Sequence, residues 1–418
     1  MLRIITSLTC FLGLAAVPIV NLSVTSDTAL SDDAPARPKP QNYTVHEWGT
    51  FTTLAGSDGV QLVGLTHDEE ALPKFVYHYE KHEKGFEGVN VKMETPVIYF
   101  YSKEERYVSV TVDFPKGVLT QWFPQVRHLQ PAAGITNPEL KNGKLRWGVN
   151  ILPAGTGEKD APPVDANDSW RFARETDANY IRMCSTSWED AAKNSHDESE
   201  RFLFYRGLGK FDLPIVAKFL DNGELNIKNS GNDELRDLVL LRVENGKIYF
   251  KDGGNLRANS AMQTKIDFAE TTVDKAMAFV AKKLEGSGLY AKESLAMVNT
   301  WRKSYFETPG VRVLYVVPRK LTDQILPLTI DPMPSDLVRV LVGRYDVLTP
   351  EAEKNAEATI KKTNKPSEAM SALGRFAEPI TRRVRETTKD AEVRSNADCL
   401  LQQFTSNGCS KAPAEHCK

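Results

Sequence analysis

Two histidine–carboxylate pairs are the first candidates for chemistry in this chain. His46 and Glu47 precede Trp48 in a strand-like segment, and His67 and Asp68 follow further along. A neutral imidazole can bind a divalent metal, and a carboxylate balances the charge of that metal or accepts a proton from bound water. The pairs therefore predict a metal-assisted hydrolase with all four residues catalytic and the two histidines as metal ligands. The alternative is a buried, hydrogen-bonded histidine and a solvated acidic loop.

The elements that must position these residues limit what they can do. Successive side chains of a strand point to opposite faces, so only one of His46 and Glu47 can face a given site. His78 and His82 would share a helix face, but Tyr79 stands where a zinc-protease motif requires glutamate. The sequence contains no phosphate-binding loop, dinucleotide fingerprint or nucleophile elbow. A divalent metal is therefore the single cofactor that these residues suggest.

Aromatic residues suggest a third kind of function. Flat aromatic faces can stack on sugar rings, which would make the protein a carbohydrate-binding module. The alternative is that these residues pack in the core of a β-sandwich, as most large aromatic side chains do. The residues concerned are Trp122, Phe123, Trp147, Trp170, Trp188 and Trp301.

Composition indicates a globular protein of about two or three domains. The chain has 418 residues, of which 41% are hydrophobic and 26% are charged. Its 53 basic and 55 acidic side chains leave a net charge of −2. This balance gives no electrostatic reason to expect binding to nucleic acid or to an anionic membrane surface.

The N-terminal segment is typical of an exported protein. Arg3 precedes an apolar run over residues 4–20, as in a secretory signal peptide. Residues 1–31 are therefore predicted to be a signal peptide or, if uncleaved, an N-terminal anchor. Residues 32–42 form a polar, proline-rich spacer. The expected location is the periplasm, the cell surface or the extracellular space, with membrane contact through an uncleaved N-terminal segment alone.

Four cysteines remain after the leader, and three of them lie near the C-terminus. In an oxidising compartment we expect a disulfide between two of Cys399, Cys409 and Cys417. Zinc binding with His416 is the alternative, but the spacing contains no C-x-x-C pair. Cys184 has no neighbouring histidine, which argues against a cysteine nucleophile.

Strand signals dominate the first two thirds of the chain. Asn142-Gly143, Asn222-Gly223 and Asn245-Gly246 mark tight turns, because both residue types tolerate positive φ. Residues 107–114 alternate between apolar and polar side chains, which indicates one buried and one wet face. A charged loop at residues 102–106 separates this strand from an apolar segment at 97–101, and the two predict a hairpin.

Helical signals begin after residue 270. Apolar residues recur at helical spacing from Val273, and Thr349-Pro350-Glu351 is typical of a helix start. A last helix is predicted around residues 373–384, kinked at Pro379. Its arginines form a basic patch, which is either a solvated face or a partner-binding surface, at Arg375, Arg382, Arg383 and Arg385.

The predicted fold class is mainly β, antiparallel and sandwich-like, with a C-terminal α+β region. The predicted boundaries follow the changes in these signals. They give an N-terminal β-rich domain at 43–205, a β-sandwich-like segment at 206–268, an α+β region at 269–390 and a cysteine-containing tail at 391–418.

Several longer strings resemble a family of exported bacterial proteins. They are HEWGTFT at residues 46–52, METPVIYFYS at 93–102, RVLYVVPR at 312–319, LPLTIDPMP at 326–334 and LVRVLVGR at 337–344. The resemblance implies a shared fold and a cell-envelope setting, and it supplies no catalytic residues. The leading hypothesis is thus an exported envelope protein with a binding or structural role, and an envelope glycan or another protein as its partner. The metal-assisted hydrolase and the carbohydrate-binding protein remain the alternatives.

Overall fold

A computed structural model of the protein describes residues 40–68, 71–79, 86–132, 139–183 and 198–406. The strands within these ranges are β1 (Gln41–Ala55), β2 (Tyr77–His78), β3 (Val91–Tyr101), β4 (Arg106–Phe114), β5 (Gly117–Phe123), β6 (His128–Gln130), β7 (Gly143–Ile151), β8 (Ile181–Met183), β9 (Ser199–Glu200), β10 (Leu203–Gly209), β11 (Ile215–Phe219), β12 (Leu225–Asn229), β13 (Leu235–Glu244), β14 (Lys247–Leu256), β15 (Ala261–Thr264), β16 (Ala269–Thr271), β17 (Gly310–Val316), β18 (Leu328–Asp331) and β19 (Pro334–Val347). The α-helices of the same ranges are α1 (Trp170–Ala173), α2 (Val273–Gly286), α3 (Ala291–Trp301), α4 (Arg319–Ile325), α5 (Pro350–Lys362), α6 (Pro366–Leu373), α7 (Ala377–Thr387) and α8 (Ala391–Ser406). A π-helix at Arg302–Glu307 follows α3. A 3₁₀-helix at Glu158–Asp160 precedes α1, and another at Gly374–Phe376 precedes α7.

Strand β1 lies near the middle of a ten-stranded sheet. The order of that sheet is β16-β14-β13-β17-β19-β1-β3-β10-β5-β2. β1 runs parallel to β19, with Val45 opposite Leu337, and antiparallel to β3, with Trp48 opposite Val97. Every residue of β1 from Val45 onward is buried, because neighbouring strands cover its edges and packed layers cover its faces.

One face of this large sheet packs against two smaller antiparallel sheets. The three-stranded sheet has the order β11-β12-β15, and the six-stranded sheet has the order β18-β4-β7-β8-β9, with β6 paired to β7. Inward apolar residues of all three sheets share one core, which includes Val45, Phe51, Val110, Trp147 and Ile227. The predicted mainly β, sandwich-like fold class is confirmed.

Helices cover the opposite face and one end of the large sheet. α2 and α3 pack on the opposite face in a second core, which includes Trp48, Val280 and Met297. The C-terminal helices α5, α7 and α8 form a third core. Leu54 at the end of β1 and Ile360 of α5 both belong to it. Strands β17 to β19 and these helices make up the expected C-terminal α+β region. In the described part of the chain, no helix has both the length and the apolar content that crossing a membrane would require.

The helix starts read from local sequence are confirmed. α2 begins after Thr272, whose hydroxyl accepts a hydrogen bond from the backbone N–H of Lys275 at 3.3 Å. α5 begins after Thr349, whose hydroxyl accepts from Ala352 N at 3.0 Å. These caps satisfy backbone donors that have no partner within the helix.

The turn at Asn245-Gly246 is also confirmed. Asn245 has φ of 52° and Gly246 has φ of 72°, and Glu244 lies opposite Lys247 in the β13–β14 ladder. Two successive positive φ values define the type I′ turn that closes a two-residue hairpin. The two flanking charges take other partners: Glu244 pairs with Arg242 at 3.1 Å, and Lys247 pairs with Glu270 at 3.0 Å.

Two other local predictions are wrong. β3 and β4 do not form a hairpin, because β3 pairs with β1 and β10 in the large sheet while β4 pairs with β7 and β18 in the six-stranded sheet. The charged loop between them carries the chain from one layer to the other. Pro379 does not kink a helix, because α7 begins at Ala377 and places Pro379 in its first turn. A proline there removes an N–H that has no intrahelical partner.

The regions predicted at residues 43–205, 206–268 and 269–390 share the large sheet. The first contributes β3, the second contributes β13 and β14, the third contributes β17 and β19, and β10 crosses the boundary predicted between the first two. The tail predicted at 391–418 is described as far as the end of α8. The central sheet is therefore assembled from strands that lie far apart in the sequence.

Candidate functional site

His46 faces the helical layer and hydrogen-bonds a buried carboxylate there. Its Nδ1 lies 2.7 Å from Oε2 of Glu293 in α3, and the Tyr101 hydroxyl donates to Oε1 of the same carboxylate at 2.7 Å. The backbone N–H of Tyr290 also donates to Glu293, at 2.8 Å, so the carboxylate caps the start of α3. Burial and the Glu293 charge raise the pKa of Tyr101 well above its ordinary value.

Glu47 points to the opposite face, as the alternation of a strand requires. Its carboxylate accepts hydrogen bonds from the Tyr205 hydroxyl and from Nε of Arg339, both within the protein interior. Arg339 also donates to Asp323 at 2.7 Å and to the carbonyl of Leu326 at 2.8 Å. A buried charge needs such partners, and Glu47 obtains them from β10 and β19.

His67 and Asp68 lie in a segment between β1 and β2. Asp68 accepts from the ammonium of Lys92 at 2.6 Å, and His67 Nε2 lies 3.4 Å from a carboxylate oxygen of Glu378 in α7. Burial raises the pKa of Asp68, but the charges of Lys92 and Arg206 outweigh it and lower the pKa to about 2. Asp68 is therefore an anion held by cations.

The structure does not bring the four candidate residues together. Lys92, which holds Asp68, pairs in register with Thr52, and Thr52 lies six residues beyond His46 on β1, or about 20 Å along the strand. His46 contacts Glu293, while His67 contacts Glu378. Among the described residues, no group of three or more histidine, cysteine or acidic side chains is arranged to hold a metal ion.

The other sequence candidates are buried, paired or outside the described ranges. Trp122, Phe123, Trp147, Trp170 and Trp301 are each at most 6% exposed, so the hypothesis that they form a stacking surface is wrong. Cys399 is buried in α8. The remaining candidates lie outside the described residues, namely His82, Cys184, Trp188, Cys409, His416 and Cys417.

The predicted basic patch is neutralised within the protein. Each of its four arginines lies beside a carboxylate, so their charges are not free for a partner. The pairs are Arg375 with Glu94, Arg382 with Glu378, Arg383 with Glu353 and Arg385 with Asp398.

A surface groove on the six-stranded sheet was missed by sequence reasoning. It has a volume of about 390 Å³, within the usual range for small-ligand sites. Polar side chains of four adjacent strands line it, namely Ser109, Thr111, His128, Lys144, Arg146, Thr329 and Asp331. The alternation in β4 predicted that Ser109 and Thr111 would face solvent. It carried no information about which strands would lie beside them.

Strand register aligns the groove residues in rows. Thr329 lies opposite Thr111, Thr111 opposite Arg146, and Arg146 opposite His128, so one row crosses four strands. In the next row Asp331 lies opposite Ser109. Residues directly opposite each other in neighbouring strands have side chains on the same face. The groove therefore presents donors and acceptors as a continuous band.

An exposed aromatic ring stands beside the band on β4. Tyr107 is 44% exposed and lies two residues before Ser109 on the same face of β4. A Cβ atom at Gly148 would collide with the Tyr107 hydroxyl and the Arg127 guanidinium, so glycine allows both to lie close to the sheet. Arg127 in turn lies 5.4 Å from the centre of the Tyr107 ring. The sheet surface thus joins an aromatic face to a polar groove.

Comparisons with known proteins identify no relative from sequence. No family model matches the chain, and no curated protein matches it. Among solved structures, it is similar to the Fcho1 mu-homology domain of Danio rerio with a bound Eps15 peptide, at 8% identity and a TM-score of 0.29. That match covers 75% of this chain and 99% of the other. The yeast delta-COP-I mu-homology domain is similar at 9% identity and a TM-score of 0.27, over 74% of this chain and 99% of the other. Similarities at these TM-scores carry no argument about function.

Proposed function

We propose that the protein is an exported component of the cell envelope that binds a glycan in the groove of the six-stranded sheet. The leader-like residues 1–31 and the resemblance to exported bacterial proteins support the location. The groove supports glycan binding, because binding requires a polar surface and does not require catalytic groups to converge.

One observation carries the proposal: a band of hydrogen-bonding side chains crosses four strands beside an exposed tyrosine. Serine and threonine hydroxyls both donate and accept, arginine donates, and aspartate accepts. A sugar presents hydroxyls that need both kinds of partner, and its C–H faces can rest on an aromatic ring. The combination of Thr111, Arg146, Asp331 and Tyr107 supplies each of these contacts.

The hydrolase hypothesis has weaker support. It requires His46, Glu47, His67 and Asp68 to act on one substrate, whereas their partners lie in different parts of the fold. Each of the four side chains also has a hydrogen-bond or ion-pair partner within the protein. These contacts are sufficient to explain why the residues are polar.

A glycan array with the purified full-length protein tests the proposal. We expect binding to a subset of envelope-type glycans, and a loss of affinity of about tenfold or more in Arg146→Ala and in Tyr107→Ala. Arg171→Ala is the matched control, because Arg171 is a half-exposed arginine of α1, outside the groove. Absence of glycan binding, or equal affinities in wild type and both groove variants, would contradict the proposal.

A further inference from the structure

The charges of the groove are separated by strand. The basic side chains His128, Lys144 and Arg146 lie on β6 and β7, and Asp331 lies on β18. The uncharged hydroxyls of Ser109 and Thr111 lie on β4 between them. Three steps between adjacent strands separate β18 from β6, or about 14 Å. A ligand that lies across the strands therefore meets an acidic end and a basic end.

Arg146 carries a permanent positive charge and has no carboxylate partner within the described chain. Its Nε donates to Oγ of Ser109 at 3.2 Å, and its side chain is exposed. Lys144, by contrast, pairs with Asp113 at 3.0 Å. Asp331 likewise forms no ion pair with the described residues. It lies opposite Ser109, in the row of residues next to the row that contains Arg146. The guanidinium can therefore take an anion from a ligand.

We infer that the bound glycan is acidic and carries a sugar carboxylate at the Arg146 end of the groove. This inference rests on the proposed function. Arginine binds carboxylates through two parallel N–H···O bonds, which lysine cannot reproduce. Asp331 repels a second carboxylate at the opposite end and accepts hydrogen bonds from neutral hydroxyls there. The preferred ligand has at least two linked rings, with a uronic acid over β7 and a neutral sugar over β18.

Calorimetric titration with a matched pair of oligosaccharides tests this inference. The acidic probe alternates glucuronate with N-acetylglucosamine, and the neutral probe is the same oligosaccharide after reduction of its carboxylates to alcohols. We expect full-length wild type to bind the acidic probe about tenfold or more tightly than the neutral one. Arg146→Gln should weaken binding of the acidic probe more than binding of the neutral probe and so reduce this ratio to near one, because only the carboxylate loses a charged, two-bond contact with the guanidinium.

Two further variants sharpen the test. Arg146→Lys should restore part of the preference, because it keeps the charge and loses the paired geometry. Asp331→Asn should weaken the preference for a neutral ring at its end and admit an oligosaccharide made of glucuronate alone. Arg171→Gln serves as the control and should keep the wild-type ratio.

The outcomes separate the two proposals. If wild type binds the acidic and neutral probes equally, the glycan function stands and the acidic specificity is wrong. If Arg146→Gln keeps the wild-type ratio, the carboxylate does not bind at Arg146 and the inference is overturned. If neither probe nor any glycan of the array binds, the glycan function itself fails, and the inference fails with it.

Discussion

Buried polar residues of β1 show what can be learned from residue types and what cannot. The string HEWGTFT predicts chemistry at His46 and Glu47, yet both are held by distant partners. Glu293 lies 247 positions from His46, and Arg339 lies 292 positions from Glu47. A buried polar group must find a partner, but the sequence does not indicate which one. Residue types thus correctly predicted that these positions are polar centres. For the role of these centres they left two alternatives, a catalytic metal site or buried, hydrogen-bonded side chains.

The buried carboxylate of Glu94 gives a prediction about stability and pH. Burial alone raises the pKa of Glu94, but the charges of Arg375, Lys92 and Arg344 outweigh it and lower the pKa from 4.5 to about 2. Because the folded-state pKa lies below the unfolded value, the ionised carboxylate stabilises the fold above about pH 4.5. That contribution disappears as the pH falls from about 4.5 towards 2, and it amounts to at most about 3 kcal/mol.

Glu94→Gln should therefore lower the free energy of unfolding at pH 7 and flatten its decline below pH 4.5. Urea unfolding at a series of pH values measures both effects. Glu175→Gln is a suitable control, since Glu175 is half-exposed and pairs with Arg171 at 3.8 Å on the surface. Parallel pH profiles for wild type and Glu94→Gln would show that the carboxylate makes no net contribution.

Elements that depend on local signals were predicted well. The caps at Thr272 and Thr349, the alternation of β4 and the turn at Asn245-Gly246 all depend on residues a few positions apart. Sheet membership depends on partners far away in the chain. For that reason the sequence supported a β3–β4 hairpin that does not exist, and it did not reveal the groove, whose walls come from β4, β6, β7 and β18.

The β13–β14 turn yields a prediction that separates backbone geometry from charge. Gly246 has φ of 72°, and a Cβ atom there would meet no atom within 4 Å. Gly246→Val should therefore destabilise the protein through backbone strain alone, by about 1–3 kcal/mol. Glu244→Ala removes one exposed contact with Arg242 and should lower the unfolding free energy by less than about 1 kcal/mol. Midpoints of urea unfolding compare the two variants, and a Gly246→Val midpoint equal to that of wild type would contradict the strain argument.

At the scale of the whole molecule, the three sheets share one apolar core. Val45 of the large sheet, Val110 of the six-stranded sheet and Ile227 of the three-stranded sheet belong to the same cluster. The groove lies on the outer face of the six-stranded sheet, so its strands are fixed from within by this core. A ligand site on such a face is preorganised, because its side chains stand on strands whose inner residues are already packed.

Export is a prediction for the molecule as a whole. Arg3 and the apolar residues 4–20 should direct the chain out of the cytoplasm. Fractionation of cells that express the protein, followed by N-terminal sequencing, measures both location and cleavage. Deletion of residues 4–20 should retain the protein in the cytosol. Recovery of the intact protein from the cytosol with Met1 present would contradict the prediction.

The oxidation state of the C-terminal cysteines provides a second test of the predicted export. Cys399 is 7% exposed and lies on α8, whose Leu400 belongs to the third core, while Cys409 and Cys417 lie outside the described residues. A disulfide between two of the three would close a short loop and stabilise the fold by at most about 3 kcal/mol in the loop-entropy model.

Peptide mapping without reductant should recover a cross-linked pair from protein that has been exported, and reduced thiols from protein retained in the cytosol by deletion of residues 4–20. Cys184→Ser should leave that pair unchanged, because the hypothesis places the pairing among the C-terminal cysteines. Three free thiols in the exported protein would remove the disulfide hypothesis, whereas a pair that includes Cys184 would show that the bridge ties the C-terminal segment to the region between β8 and β9.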